Sequence, residues 1–404
     1  MPDRSRTDIQ PGRSLILRIQ LWLACVAFVI AVFAAVHFLM RLDLPEGLSR
    51  TEFDRAASHF REQYGSAPDR DDTLHWLAKR SLQEGNLDVA LACLRGIGWD
   101  HPQYGLTAKL SEGELLIQLN RAVEAETCFR TFLERTESRL PSDSPYLATA
   151  WSWLCYLYSI ELRFEERKEL LTQLHRTGRA SINESKQLFF PSLLIWNSAR
   201  GRERLNSFLS QTSDAAVLNI AKGRYLTGEG ELAQAQSHLE LWQERLNNDP
   251  SCTAALLECL YEQNDWTAFE EVLKDASVQR DEEPWLLLLM RGHDAIHKGE
   301  WNEAVQRYSA VLDRDPSNSP ALMGLAQAYR ELGQEDRSKS MLDRVATLAV
   351  IRPRLSSIRE SNLDAVEELA EKCDTLKLSE AARTFRAHAE RVRREQRPET
   401  ISPL

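Results

Sequence analysis

Residues 285–318, WLLLLMRGHDAIHKGEWNEAVQRYSAVLDRDPSN, and residues 319–352, SPALMGLAQAYRELGQEDRSKSMLDRVATLAVIR, decide how the chain is read. Each is 34 residues long, and laid over one another they share a pattern. In the first, Leu288, Gly292, Gly299, Ala304, Tyr308, Val311 and Pro316 fall at positions 4, 8, 15, 20, 24, 27 and 32. In the second, Leu322, Leu325, Ala326, Tyr329, Gly333, Leu342 and Val345 fall at 4, 7, 8, 11, 15, 24 and 27. Position 8 holds Gly292 and Ala326 and position 20 holds Ala304 and Ser338, all of them small. Glycine at 15 ends a helix because it adopts the left-handed C-cap conformation cheaply.

This 34-residue period resembles the tetratricopeptide repeat (TPR) family. The resemblance implies two antiparallel helices per unit, stacked into an all-α, right-handed solenoid. It also implies a concave groove, lined by positions 2, 5, 9, 12 and 13 of the first helices, that receives a protein or peptide partner. On the clearer units those positions nominate Lys79, Gln83, Glu114, Gln118, Arg224, His293, His297, Gln327 and Arg330. The lysine–asparagine clamp with which some members hold C-terminal carboxylates is not matched, since Lys79 stands where that clamp has asparagine.

Outward from the two reference units the pattern recurs with varying fidelity. Residues 71–104 place Ala78, Gly85, Ala90 and Leu94 at 8, 15, 20 and 24, and 106–139 place Gly113, Asn120, Ala125 and Phe129 there. A looser unit, 149–182, puts Tyr156 at 8 and Lys168 at 20, and 183–212, broken by Pro191, reads as a degenerate helix pair. Residues 216–249 regain the register with Gly223, Gly230, Ala235 and Leu239, and 250–283 follow it more weakly. An insertion is expected at 353–362, then a terminal unit, 363–396, whose second helix carries Arg383, Arg386, Arg391, Arg393 and Arg394 as a solvent-facing end should. Residues 397–404 read as a tail. The solenoid is thus expected over 71–352, behind a linker and capping helix at 41–70.

The N-terminus is different in kind. After a polar segment, 1–20, comes LWLACVAFVIAVFAAVHFLM at 21–40, long enough as a helix to span about 30 Å of hydrocarbon. It reads as a retained single-pass transmembrane helix, the alternatives being a cleaved signal peptide or a soluble helix; signal cores run about 7–15 residues. Four arginines precede it, so the positive-inside rule favours a cytoplasmic N-terminus and a body on the far, periplasm-like side.

A net charge of −10 disfavours nucleic acid, which demands a basic surface. The seven cysteines show no metal or redox spacing and read as small packing residues. His293 and His297, four apart, are the one possible metal pair, but no third ligand follows and the intervening acid is Asp294. No nucleophile elbow, phosphate loop or dinucleotide fingerprint appears, so no enzyme, metal or cofactor is expected. The alternative is a ligand- or metal-binding accessory role using the histidine pair.

Overall fold

The structure, a computed structural model, describes residues 48–64, 69–191, 199–276, 283–359 and 361–396. The apolar run at 21–40, Cys25 and the tail lie outside them. Among the described residues all regular secondary structure is helical, and no helix is long and apolar enough to cross a membrane.

Two compact units divide the chain, one ending at Ala108 and the other beginning at Lys109, within α4 (Gly105–Gln118). The first holds α1 (Arg50–Tyr64), α2 (Arg70–Gln83) and α3 (Leu87–Gly96), with α1 packed on α2 and α2 paired with α3. Asp69 starts α2 with a capping box, exchanging hydrogen bonds with Asp72.

The second unit continues through α5 (Ala122–Thr136), α6 (Pro145–Ile160), α7 (Phe164–Arg176), α8 (Ile182–Phe189) and α9 (Ala199–Gln211). Three pairs follow: α10 (Ala216–Gly228) with α11 (Leu232–Arg245), α12 (Pro250–Glu262) with α13 (Trp266–Asp275), and α14 (Trp285–Lys298) with α15 (Trp301–Arg314). Then come α16 (Ser319–Glu331) with α17 (Glu335–Leu355) and α18 (Leu363–Thr375) with α19 (Ser379–Gln396).

The period has a direct steric origin. A Cβ added to Gly292 would lie 2.5 Å from the Tyr308 ring, one on Gly113 2.5 Å from Phe129, and one on Gly223 2.4 Å from Leu239. In all three pairs position 8 meets position 24 across the helix crossing. Tyr308 is gripped from both sides, because a Cβ on Gly324 of the next helix would lie 2.3 Å from its ring. Ala304 at position 20 is fully buried.

Position 15 is as regular. Gly85, Asn120, Gly230, Asn264, Gly299, Gly333 and Lys377 all stand there with left-handed φ between 58° and 79°. Each is followed by an amide that reaches back five residues, as Glu300 does to the Ala295 carbonyl at 2.8 Å, closing the helix in a Schellman-type turn. The looser unit breaks step by one: Leu162, not Arg163, is left-handed, and the Arg163 amide bonds the Tyr158 carbonyl. Its frame is therefore 148–181, which puts Cys155 at the small position 8 in place of Tyr156 and Arg167 at position 20 in place of Lys168. The sequence register missed this because an ordinary leucine stands at the αL turn.

Two boundaries also differ from expectation. Helix α17 runs on to Leu355, through Pro353, so the expected insertion begins inside a helix. In the expected degenerate pair, α8 joins the hydrophobic core of the C-terminal helices. Ile182 and Phe190 are buried with Leu322, Leu348, Ile351, Leu355 and Phe385. Lys186, 2% exposed, donates to the carbonyls of Leu355 at 3.0 Å and Ile358 at 2.9 Å, capping the end of α17.

Candidate functional site

The nine residues nominated for the groove do not share one fate. Lys79 and Gln83 are exposed on α2 in the first unit. On α4, Gln118 is exposed while Glu114 is half-buried and accepts a 3.0 Å hydrogen bond from the Trp153 indole. Arg224 is not a free groove residue. It is 6% exposed, its Nε donates to Glu258 at 2.9 Å, its Nη1 to the Leu162 carbonyl at 3.3 Å, and it lies over the rings of Phe164 and Trp285. A guanidinium desolvated to this degree needs those partners to remain inside.

The two histidines also part company. The His293 ring stacks on Tyr261 with centroids 4.1 Å apart and shares a 2.9 Å hydrogen bond with the Tyr308 hydroxyl through Nδ1. Burial pulls its pKa down to about 4, which keeps the ring neutral. His297 is exposed and stacks flat on Trp266 at 3.9 Å. Among the described residues the only group of three candidate metal ligands within mutual reach is Asp69, Asp72 and His101, which excludes both. Even there, His101 Nδ1 accepts the Tyr104 amide at 3.1 Å, so its Nε2 carries the proton and cannot ligate without losing it.

Gln327 and Arg330 are exposed on α16, and with Met323, 58% exposed, they form an i, i+4, i+7 stripe. Among the described residues Arg330 pairs only with its neighbour Glu331. Helix α16 lies beside α14, which carries His297. Polar, cationic, aromatic and thioether side chains thus stand along neighbouring first helices. Met323 went unnominated although it holds position 5 and is exposed on the same stripe.

Sequence reasoning missed a second feature entirely. The start of α7 folds onto the start of α14 and the end of α15. Glu165 accepts the Trp285 amide at 3.2 Å and Arg314 at 2.6 Å, and Lys168 donates to the Arg314 carbonyl at 2.7 Å. Burial still pushes the Glu165 carboxyl up, against the pull of Arg314. Beside these contacts lies a cavity of about 490 Å³ walled by Phe164, Trp285 and Pro191 and rimmed by Lys168, Glu169 and Arg176. These contacts join residues 120 to 149 apart, beyond anything a 34-residue period can signal.

Among the described residues the cysteines are free thiols, all buried except the half-buried Cys128. Burial pushes Cys93, Cys155, Cys252 and Cys373 up to about 12, so they are unreactive packing groups.

Residues 295–350 match the sequence model of the tetratricopeptide repeat family. No curated protein matches the chain. Among solved structures, a tetratricopeptide repeat protein from Parabacteroides merdae is 9% identical, with a TM-score of 0.31, over 68% of this chain and 99% of its own. Cut9–Hcn1, a hetero-tetramer of the APC/C, gives 14%, 0.33, 86% and 77%. The P58(IPK) TPR domain gives 14%, 0.29, 82% and 100%. Similarity at this level carries no inference about function. The family match over residues 295–350 and the 34-residue period seen in the packing agree.

Proposed function

We propose that this TPR protein is a non-enzymatic scaffold, anchored in a membrane by residues 21–40, that binds a protein or peptide partner along α14 and α16. The observation that carries the reading is the Met323–Gln327–Arg330 stripe beside His297. These side chains contribute little to the fold, and an amphipathic helix or extended peptide can use all four. Anchoring would hold the partner at high local concentration at the bilayer. The four arginines before residue 21 favour a cytoplasmic N-terminus, with the repeats on the far side.

A photo-crosslinking residue at position 327 of the full chain, in its own membranes, tests the binding face. One defined adduct is expected, and it should vanish in Met323→Asp/Arg330→Ala. The same adduct in that variant, or crosslinking no different from that at exposed Lys339, overturns the assignment. Deleting 21–40 should release the protein from the membrane fraction, and protease shaving of sealed vesicles reads the orientation.

A further inference from the structure

Helix α17 is apolar on two faces. One is the buried side, which carries Leu348, Ile351 and Leu355. On the other, Leu342, Ala346, Ala349 and Pro353 stand exposed at i, i+4, i+7 and i+11, with Val350 beside them. Leu342 and Val350 are 52% and 50% exposed, whereas the other exposed large apolar side chains, Leu82, Val123, Leu241 and Met323, stand one to a helix. Such residues scattered singly need no explanation, but a stripe of them does. At Val350 the stripe opens into an apolar groove of about 320 Å³, floored by the buried Ile351, Ile358 and Leu369 and rimmed by Arg354 and Lys372.

Positive charge edges this stripe. The first turn of α17 carries Glu335 and Asp336. From there to Arg359 the chain holds Arg337, Lys339, Arg344, Arg352, Arg354 and Arg359 against Asp343 alone, in a protein whose net charge is −10. Four of these are engaged: Arg354 pairs with Glu368, Arg337 bonds Gln334, and Arg344 and Arg359 donate to the carbonyls of Pro316 and Ser356. Lys339 and Arg352, toward the two ends of the stripe, are exposed and make no ion pair among the described residues.

We propose that the outer face of α17 docks on the surface of an anionic lipid bilayer. A helix lying in a headgroup layer needs exposed aliphatic side chains with cations along their edge. The stripe would enter the acyl boundary, while Lys339 and Arg352 reach back on their methylene stems to the headgroup phosphates. The groove would take an acyl segment between Arg354 and Lys372. A second copy of the chain would set this basic helix against itself. A protein partner usually grips aromatic anchors, and the stripe offers none. Nucleic acid would meet the charge but leave Leu342 and Val350 in water. One basic helix binds a membrane weakly, so the contact orients the repeats on a bilayer and does not replace an anchor. It shares no residue with the α14–α16 stripe, so failure of either assignment leaves the other intact.

The test uses the full chain reconstituted into vesicles of phosphatidylcholine, alone or mixed in equal parts with phosphatidylglycerol. Val350→Cys carries a nitrobenzoxadiazole label, and the unsubstituted chain, whose described cysteines are buried or half-buried, gives the background. Quenching of the label by nitroxide-bearing lipid is expected in the anionic vesicles. It should be at least fivefold weaker in the neutral ones and in Lys339→Glu/Arg352→Glu, and should fall with added salt, which screens the attraction. The same label on Leu241→Cys, exposed beside Glu240 and Glu244, should stay unquenched. Unaltered far-UV circular dichroism keeps a folding defect from imitating the loss. Flotation with neutral vesicles reports residues 21–40 separately, so failure of the anchor and failure of this face are distinguishable. Four results overturn the proposal: no quenching at 350, equal quenching in neutral vesicles, equal quenching at 241, or quenching untouched by the double charge reversal. An unquenched blue shift that grows with protein density would put a second copy on the stripe and overturn it too.

Discussion

Residues 285–331 and residues 161–191 hold the second unit together by different means. In the first, the contacts are short in sequence and made by shape: Tyr308 fills the gap between Gly292 and Gly324, with Ala304 closing the crossing. In the second, the contacts reach far along the chain and add buried charge to apolar packing, Ile182 and Phe190 lying among Leu355 and Phe385. Glu161, Arg167 and Lys186 are all buried, with Lys186 reaching carbonyls 169 and 172 residues away. Burial pushes the Glu161 carboxyl up to about 7, against Arg163, and Arg167 down to about 10, with its Nε and Nη2 unbonded. Steric fit between neighbouring helices repeats at no electrostatic cost. The segment that leaves the period joins distant helices through that apolar contact and also by meeting their carbonyls and carboxylates, and it carries desolvation strain for the latter.

The sharpest way to break this contrast is to overfill the regular region. Gly292→Leu would drive a branched side chain into the Tyr308 ring and should cost about 3 kcal/mol, read as a drop in denaturation midpoint. A loss under about 0.5 kcal/mol, as at an ordinary surface site, would show that the crossing is not close and the period not steric. In the charged region, Lys186→Ala leaves two carbonyls without their donor and a void beside Phe190. About 2 kcal/mol should be lost. Equality with a surface lysine such as Lys339→Ala would mean the α8 contact contributes nothing to the fold.

The same contrast explains what could be read from the chain beforehand. Glycine at 8 and 15 and alanine at 20 are visible because shape selects residue type, and the all-helical repeat was legible from them. Nothing selects residue type at Glu165, Lys168 or Lys186 in a way one sequence can display, so the return of 161–191 onto later helices was not. Arg224 was misplaced for the same reason: its position number suits a groove, but Phe164 and Trp285 cover it. The one-residue slip at 149–182 came from Leu162, a residue type that seldom takes the left-handed turn. Of the nominated residues, Lys79, Gln83, Gln118, His297, Gln327 and Arg330 are exposed, whereas Arg224 and His293 are taken up by packing.

His293 sits where the two principles meet, a titratable ring locked into the steric stack. Its folded pKa of about 4 lies below the ordinary histidine value of 6.5, so the unfolded chain takes up the proton first. The stability it supports is complete above about pH 6.5 and is lost as pH falls toward 4, by about 1–2 kcal/mol after allowing for partial solvent access. His293→Phe keeps a ring on Tyr261 and removes the proton site. The difference in stability between wild type and this variant should shrink by that amount between pH 7 and pH 4. A constant difference would show that the ring is not held neutral.

Gln327 is the smallest perturbation of the fold and separates structural from functional residues most cleanly. Its side chain is exposed on α16 and packs against nothing that positions the helix, whose register is set by Leu322, Leu325 and Ala326 on the buried face. Gln327→Ala should therefore shift stability by less than about 0.5 kcal/mol, less than any change above. If the stripe is a binding face, the same substitution should still weaken partner capture several-fold in quantitative pull-down, because a docked partner buries what the free protein leaves in water. A residue governed by packing would show the reverse, a large shift in the melt with capture falling only as folded protein is lost. Measuring both quantities on one variant thus shows which force holds Gln327 at its position.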